Sequence, residues 1–103
     1  MFGMFSRKDI NKGVEDFKNT KDAVLLDVRS EEEYNEYRIE GSLNIPLQRL
    51  REIREIIPDT KTPIFIYCLS GARSAQAEAE LKRAGYQNAV NIGGIDSYRG
   101  KTV

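Results

Sequence analysis

The sequence of 103 residues has no histidine and no tryptophan, and Cys68 is its single cysteine. Without histidine, the chain cannot build a zinc site from a Cys/His cluster, nor a Ser-His-Asp or Cys-His catalytic pair. With one cysteine, it cannot form an internal disulfide. If Cys68 is a nucleophile, something other than an imidazole has to stabilise its thiolate.

Excess charge and long apolar segments are also missing. Sixteen basic and sixteen acidic residues give a formal net charge of zero, which argues against a nucleic-acid partner. The longest apolar stretches, such as residues 23–26 and 64–67, are far too short to span a membrane. Residues 1–8 lack the features of a secretory signal, so we expect a cytoplasmic protein whose lone thiol stays reduced.

The composition is that of a small globular protein, with 40% hydrophobic and 31% charged residues. A chain of this length can bury one hydrophobic core. We therefore expect a single domain over residues 1–103, and a monomer.

Strand and helix signals alternate along the chain. Short apolar runs predict strands at residues 23–26, 43–45, 64–67 and 89–92. Helical spacing or propensity predicts helices from Ser6 through Phe17, after Ser30, over residues 47–57, over residues 74–84 and at 95–99. This alternation predicts an α/β domain with a mainly parallel sheet.

Several residues mark the ends of the predicted helices. Ser6, with Asp9 three positions on, is a candidate N-cap, and Ser30 with Glu33 forms a capping-box pattern. Gly85 stands where a left-handed residue ends a helix. Tyr34 and Tyr37 follow at helical spacing, and we assign both to the core.

The candidate for chemistry is Cys68, at the carboxyl end of the strongest predicted strand. In open α/β sheets, ligands bind beyond these strand ends. A loop of small residues separates Cys68 from a strong helix, and its amides and the helix dipole would favour an anion there. Arg73, at the far end of the loop, could bind a substrate oxyanion. The alternative is that Cys68 is a buried hydrophobe and Arg73 a surface residue.

Four segments, in this order, resemble the rhodanese-like domain family. Residues 25–34 (LLDVRSEEEY) resemble its LLDVR…EEY signature, and residues 41–47 (GSLNIPL) its GA.NIP segment. Residues 66–74 (IYCLSGARS) resemble its active-site loop, and residues 85–94 (GYQNAVNIGG) its closing segment. The resemblance covers about residues 6–101. It implies a rhodanese-like α/β fold, with a mostly parallel five-stranded sheet and helices on both faces.

The resemblance also implies the chemistry of a single-domain thiosulfate sulfurtransferase. Cys68 would take a sulfane sulfur from thiosulfate or another persulfide donor and pass it to a thiol or cyanide. A protein persulfide is a further candidate donor, and neither a metal nor an organic cofactor is needed. The substrate-binding loop would comprise Leu69, Ser70, Gly71, Ala72 and Arg73.

Three further residues are assigned supporting roles. Asp27 and Arg29, in the first family segment, could shape the pocket and its potential, but we favour an ion pair or bonds to the loop backbone. Ser74 could donate to the persulfide, but we favour a helix cap because it opens the predicted helix.

Two other functions remain as alternatives. The chain could be a non-catalytic rhodanese-like module or a sulfur-carrier partner. It could also resemble the related small phosphatases and arsenate reductases, whose loops have five residues between cysteine and arginine, whereas four stand between Cys68 and Arg73. The sequence departs from the family at residues 38–41, which lack a common histidine, and at Tyr98, which replaces a common tryptophan.

Overall fold

The computed structural model describes residues 8–103, which contain one four-stranded parallel sheet. The strands lie in the order β2-β1-β3-β4. They are β1 (Val24–Asp27), β2 (Ser42–Asn44), β3 (Ile64–Cys68) and β4 (Ala89–Gly94).

The expected parallel pairing is thus confirmed, but the expected number of five strands is wrong for this part of the chain. The apolar runs mark four strands, and the fifth was implied by the family resemblance alone. Antiparallel pairing within residues 8–103 is limited to an isolated bridge between Ile39 and Thr102.

Helical segments connect the strands, as parallel pairing requires. The α-helices are α1 (Ile10–Lys18), α2 (Glu31–Glu36), α3 (Ile53–Ile56) and α4 (Ala72–Arg83). Two 3₁₀ helices cover Leu47–Glu52 and Ile95–Ser97. No helix among residues 8–103 has the length and apolar character needed to cross a bilayer.

The single helix predicted over residues 47–57 is instead a 3₁₀ helix followed by the short α3. The backbone leaves helical geometry at Arg49, where φ is −112°. Leu50 and Ile53 are nevertheless buried against the sheet. Packing of these apolar side chains therefore decides the local path more than regular helix geometry does.

Helices cover both faces of the sheet, as predicted. Leu25 and Tyr67 point into one core cluster, and Leu26 and Ile66 into the other, because alternate strand residues face opposite sides. The first cluster contains Ile10 and Val14 of α1, and the second contains Ala77 and Leu81 of α4.

The helix ends confirm part of the sequence interpretation. Glu33 N–H donates to Ser30 Oγ, and Ser30 N–H donates to Glu33 Oε1, both at 3.1 Å, which completes the capping box. Gly85 has a φ of +102°, in the left-handed region. Ser6 lies outside the described residues. Asp9 caps α1 instead, accepting from Asn11 N–H at 3.0 Å.

The assignment of both tyrosines to the core is wrong for Tyr37. Its side chain is 40% exposed, and its ring lies 5.2 Å from the guanidinium carbon of Arg29. Tyr34 is half-buried, and its hydroxyl donates to the carbonyl of Ser42. The helical spacing assumed that both residues lie in one helix, but α2 ends at Glu36 and the backbone of Tyr37 is extended, with a ψ of 154°.

Candidate active site

Cys68 is the last residue of β3, in the middle of the sheet, and only 1% of it is exposed. Its sulfur accepts hydrogen bonds from Gly71 N–H at 3.0 Å and Ser74 N–H at 3.3 Å. The hydroxyl oxygen of Ser74 lies 3.3 Å from the same sulfur. Two N–H donors and one hydroxyl group thus surround Sγ at the start of α4.

These contacts favour the charged form of the sulfur. Burial works against a thiolate, but the hydroxyl and amide of Ser74, with the amides of Gly71 and Ser70, outweigh that penalty. The pKa of the Cys68 thiol therefore lies below its ordinary value. No imidazole takes part. Backbone N–H groups and a hydroxyl group stabilise the thiolate instead, which a chain without histidine needs.

The loop after Cys68 is shaped by two close backbone contacts. Gly71 adopts a φ of +105° and stands as the N-cap of α4, which turns its N–H towards the sulfur. Gly94 of β4 lies against the loop, and a Cβ there would stand 2.2 Å from the carbonyl oxygen of Leu69. That carbonyl accepts from Asp96 N–H at 3.1 Å, which fixes the loop to the end of β4.

The interpretation of Ser74 as a helix cap is wrong. Helix α4 begins two residues earlier, at Ala72, and the N-cap residue Gly71 has no side chain. Ser74 is fully buried, and its hydroxyl lies between Cys68 Sγ and Asn91 Oδ1. Its side chain therefore contacts the sulfur, and the donation to a persulfide considered for it stays a prediction.

Arg73 is held by an acidic side chain of another helix. Its two terminal nitrogens donate to the carboxylate oxygens of Glu33, in α2, at 2.8 and 3.0 Å. Hydrogen bonds from Arg73, together with those from Ser30, lower the pKa of Glu33 to about 2 although its partial burial opposes this. The arginine that we expected to bind a substrate oxyanion is thus paired in this structure.

The pairing predicts a pH-dependent contribution to stability. The pKa of Glu33 is lowered in the folded protein to about 2, so its contribution is present above the ordinary value of 4.5 and lost as the pH falls towards 2. We expect Glu33→Gln to lower the free energy of unfolding by about 0.5–1 kcal/mol at pH 7, because the pair is partly exposed. Glutamine still fits the capping box.

Urea unfolding at several pH values measures this effect. Glu32→Gln, on the exposed side of the same helix, is the matched control and should change little. The difference between wild type and Glu33→Gln should shrink as the pH approaches 2. A difference that stays constant across this range would contradict the assignment.

Asp27 and Arg29 form a buried ion pair at the end of the neighbouring strand β1. Arg29 Nη2 lies 2.8 Å from Asp27 Oδ2, and both side chains are at most 1% exposed. Arg29 N–H also donates to Asp27 Oδ1 at 2.8 Å, and Arg29 Nη2 donates to the carbonyl of Tyr37 at 2.7 Å. This is the structural arrangement that we favoured for both residues.

The side chains of the remaining loop residues are turned to solvent. Leu69 and Ser70 are exposed, and so is Ala72. A cavity of about 420 Å³ adjoins the loop; it is lined by Lys8, Ser70, Gly71, Gly93, Gly94, Asp96 and Ser97. Within residues 8–103, no group of three or more acidic or cysteine side chains is placed to hold a metal ion.

One residue of the site escaped the sequence interpretation. Asn91 lies in β4, is 7% exposed, and its Oδ1 is 2.7 Å from Ser74 Oγ. The available signal was a polar residue inside an apolar strand, next to Ile92. The spacing of the predicted elements gave no means to place that side chain behind Ser74.

Comparison with known proteins agrees with this geometry. The Rhodanese-like domain family matches residues 11–101. The chain belongs to this family. The rhodanese-like fold is also shared with the solved structure of rhodanese with anions from Escherichia coli. That structure has a TM-score of 0.73 and 32% identity, and the match covers 79% of this chain and 96% of that one.

Curated relatives include sulfur-transferring proteins. Thiosulfate sulfurtransferase PspE of Escherichia coli K12 is 37% identical over 71 residues, which are 68% of each chain. The putative sulfur carrier protein YrkF of Bacillus subtilis is 36% identical over 83 residues, covering 76% of this chain and 42% of that protein. The prediction of an enzyme of the rhodanese sulfurtransferase type is confirmed by such relatives.

Proposed function

We propose that this rhodanese-like chain transfers a sulfane sulfur through a persulfide on Cys68. The observation that carries the proposal is the buried sulfur held by amide and hydroxyl donors at the carboxyl end of β3. A thiolate is the form of cysteine that attacks a sulfur donor. Its lowered pKa favours that form.

The transfer proceeds in two balanced half-reactions. The Cys68 thiolate attacks the sulfane sulfur of thiosulfate; the sulfur–sulfur bond of the donor breaks, and sulfite leaves with the electron pair. An acceptor thiolate or cyanide then attacks the terminal sulfur of the persulfide, and Cys68 leaves as a thiolate. With cyanide the product is thiocyanate. Covalent catalysis of this kind gives ping-pong kinetics.

The size of the loop supports sulfur as the transferred group. Four residues between Cys68 and Arg73 enclose a smaller ring than a tetrahedral phosphate needs. This weighs against the phosphatase and arsenate reductase alternatives. The pairing of Arg73 with Glu33 does not separate these functions, because thiosulfate is a dianion as well.

The same pairing supports a second donor class, a protein persulfide. The two ion pairs beside the loop are each neutral, so a free anionic donor gains little electrostatic attraction. A persulfide carried by another protein would not need it, and YrkF is named as a putative sulfur carrier. A cytoplasmic location belongs to the proposal, since the Cys68 thiol has to stay reduced between turnovers. The proposal also takes the protein to be a monomer.

An intact-mass measurement tests the proposal directly. The reduced protein should gain one sulfur atom on incubation with thiosulfate and lose it on addition of cyanide. Because Cys68 is the single cysteine, prior alkylation of the thiol should prevent the gain. A protein persulfide that loads the chain where thiosulfate does not would favour the second donor class. No gain from either donor would contradict persulfide chemistry.

A further inference from the structure

The hydroxyl of Ser74 has one proton and more than one acceptor within reach. Its Oγ lies 2.7 Å from Asn91 Oδ1 and 3.3 Å from Cys68 Sγ. The carbonyl oxygens of Gly71 and Gly93 lie further than Asn91, at 3.1 and 3.5 Å. A hydroxyl donates one proton and accepts through its lone pairs. The shortest contact therefore identifies Asn91 as the preferred acceptor.

The orientation of the Asn91 amide supports this assignment. Its Oδ1 also accepts from Gly93 N–H at 3.0 Å, and its Nδ2 lies 3.4 Å from the carbonyl oxygen of Gly71. The reversed orientation would leave the N–H of Gly93 facing an NH₂ group without an acceptor, and would set the amide oxygen against the carbonyl oxygen of Gly71. The atom that faces Ser74 is thus an acceptor, and the serine hydroxyl donates to it.

This arrangement suits the thiol and the thiolate differently. When the proton of Ser74 is directed at Asn91, the serine oxygen presents lone pairs to the sulfur. A thiol can donate its S–H to them, whereas a thiolate needs the hydroxyl proton for itself. Ionisation of Cys68 is therefore coupled to a rotation of the Ser74 hydroxyl away from Asn91.

We propose that Asn91 is a positioning residue that competes with the Cys68 sulfur for the hydroxyl proton of Ser74. The inference rests on the proposed function only in taking Cys68 as the nucleophile. Asn91 contacts no reacting atom and acts through Ser74. By holding the Ser74 proton, Asn91 makes the thiolate of Cys68 harder to form, whereas the loop amides make it easier to form.

The charged groups around the sulfur are the same in wild type and in Asn91→Ala. Arg73 of α4 interacts favourably with the Cys68 charge, and Glu33 of α2 partly neutralises it. Glu78 of α4 accepts from Asn91 N–H at 3.0 Å, and Asp27 of β1 is paired with Arg29. A neutral substitution at Asn91 alters none of these charges.

The test is the pH dependence of the thiolate absorbance in the ultraviolet, measured as the difference from alkylated protein so that the five tyrosines cancel. The remaining signal belongs to Cys68 because it is the single cysteine. We expect Asn91→Ala to lower the Cys68 pKa by roughly 0.5–1 unit, the size of one net hydrogen bond. In a Ser74→Ala background the same substitution should cause no such fall. Asn88→Ala, an exposed asparagine just before β4, is the control and should leave the pKa unchanged.

A merely structural role gives a different result. If Asn91 only anchors the loop, its removal loosens the amide donors and raises the Cys68 pKa in both backgrounds, which would overturn the proposal. If Asn91→Ala does not fold, Asn91→Asp keeps an acceptor and should raise the pKa more with Ser74 present than with Ser74→Ala. Equal rises in the two backgrounds would also overturn it. Since no sulfur donor is used, failure here is distinct from failure to form a persulfide.

Discussion

Replacing Cys68 with serine should abolish sulfur transfer while leaving the fold intact. We expect turnover with thiosulfate and cyanide to fall by roughly a thousandfold or more, because a serine hydroxyl cannot hold a sulfane sulfur as a persulfide. The chain has no histidine that could activate the alcohol. Thiocyanate production, measured beside urea unfolding, separates activity from stability.

The stability of Cys68→Ser should change by no more than about 1–2 kcal/mol. Serine oxygen can accept from the same amides of Gly71 and Ser74 that contact the sulfur. The control is Gln76→Ala, at an exposed position of α4 outside the loop, which should retain the activity. Normal turnover by folded Cys68→Ser would disprove the persulfide mechanism.

Replacing Asp27 with asparagine should give the largest loss of stability among the ion pairs described. The change keeps the shape of the side chain but leaves the charge of Arg29 buried without a counter-charge. Breaking a buried pair in this way costs about 3–5 kcal/mol. That is a large part of the roughly 5–15 kcal/mol by which domains are stable. Urea or thermal unfolding measures the loss.

An exposed ion pair with the same contact distance provides the control. Arg49 Nη1 lies 2.8 Å from Glu31 Oε2, as Arg29 Nη2 does from Asp27 Oδ2, but its partners are half or more exposed. Glu31→Gln should therefore cost less than about 1 kcal/mol. If the two variants lost similar stability, burial would not be the reason for the strength of the Asp27–Arg29 pair.

The sequence predicted the elements whose signals are local. Four apolar runs gave the four strands within a few residues, and the Ser30–Glu33 spacing gave the start of α2. The segment from Leu47 to Ile56 was harder to predict, because its apolar spacing fits a regular α-helix. In the structure its first part is a 3₁₀ helix, and Leu50 and Ile53 pack against the sheet. The backbone path there is set by contacts between residues distant in sequence.

The candidate site also contains residues that local sequence signals predicted and residues that they could not predict. Cys68 and its loop are contiguous, so their position at a strand end followed from order along the chain. The partner of Arg73 is Glu33, forty residues away, and the acceptor beside Ser74 is Asn91, seventeen residues away. Neither pairing has a local signature, since each depends on how α2 and β4 lie beside α4.

The parallel order of the sheet has a consequence for how the protein folds. No neighbouring strands are joined by a hairpin, so every strand pairing has to close a connection through intervening chain. Such non-local pairing slows folding, with times of roughly milliseconds or longer. The last strand, β4, supplies Asn91 and the contact between Gly94 and the loop. During folding, the loop after Cys68 therefore reaches its final geometry only after β4 has been made and has docked against it.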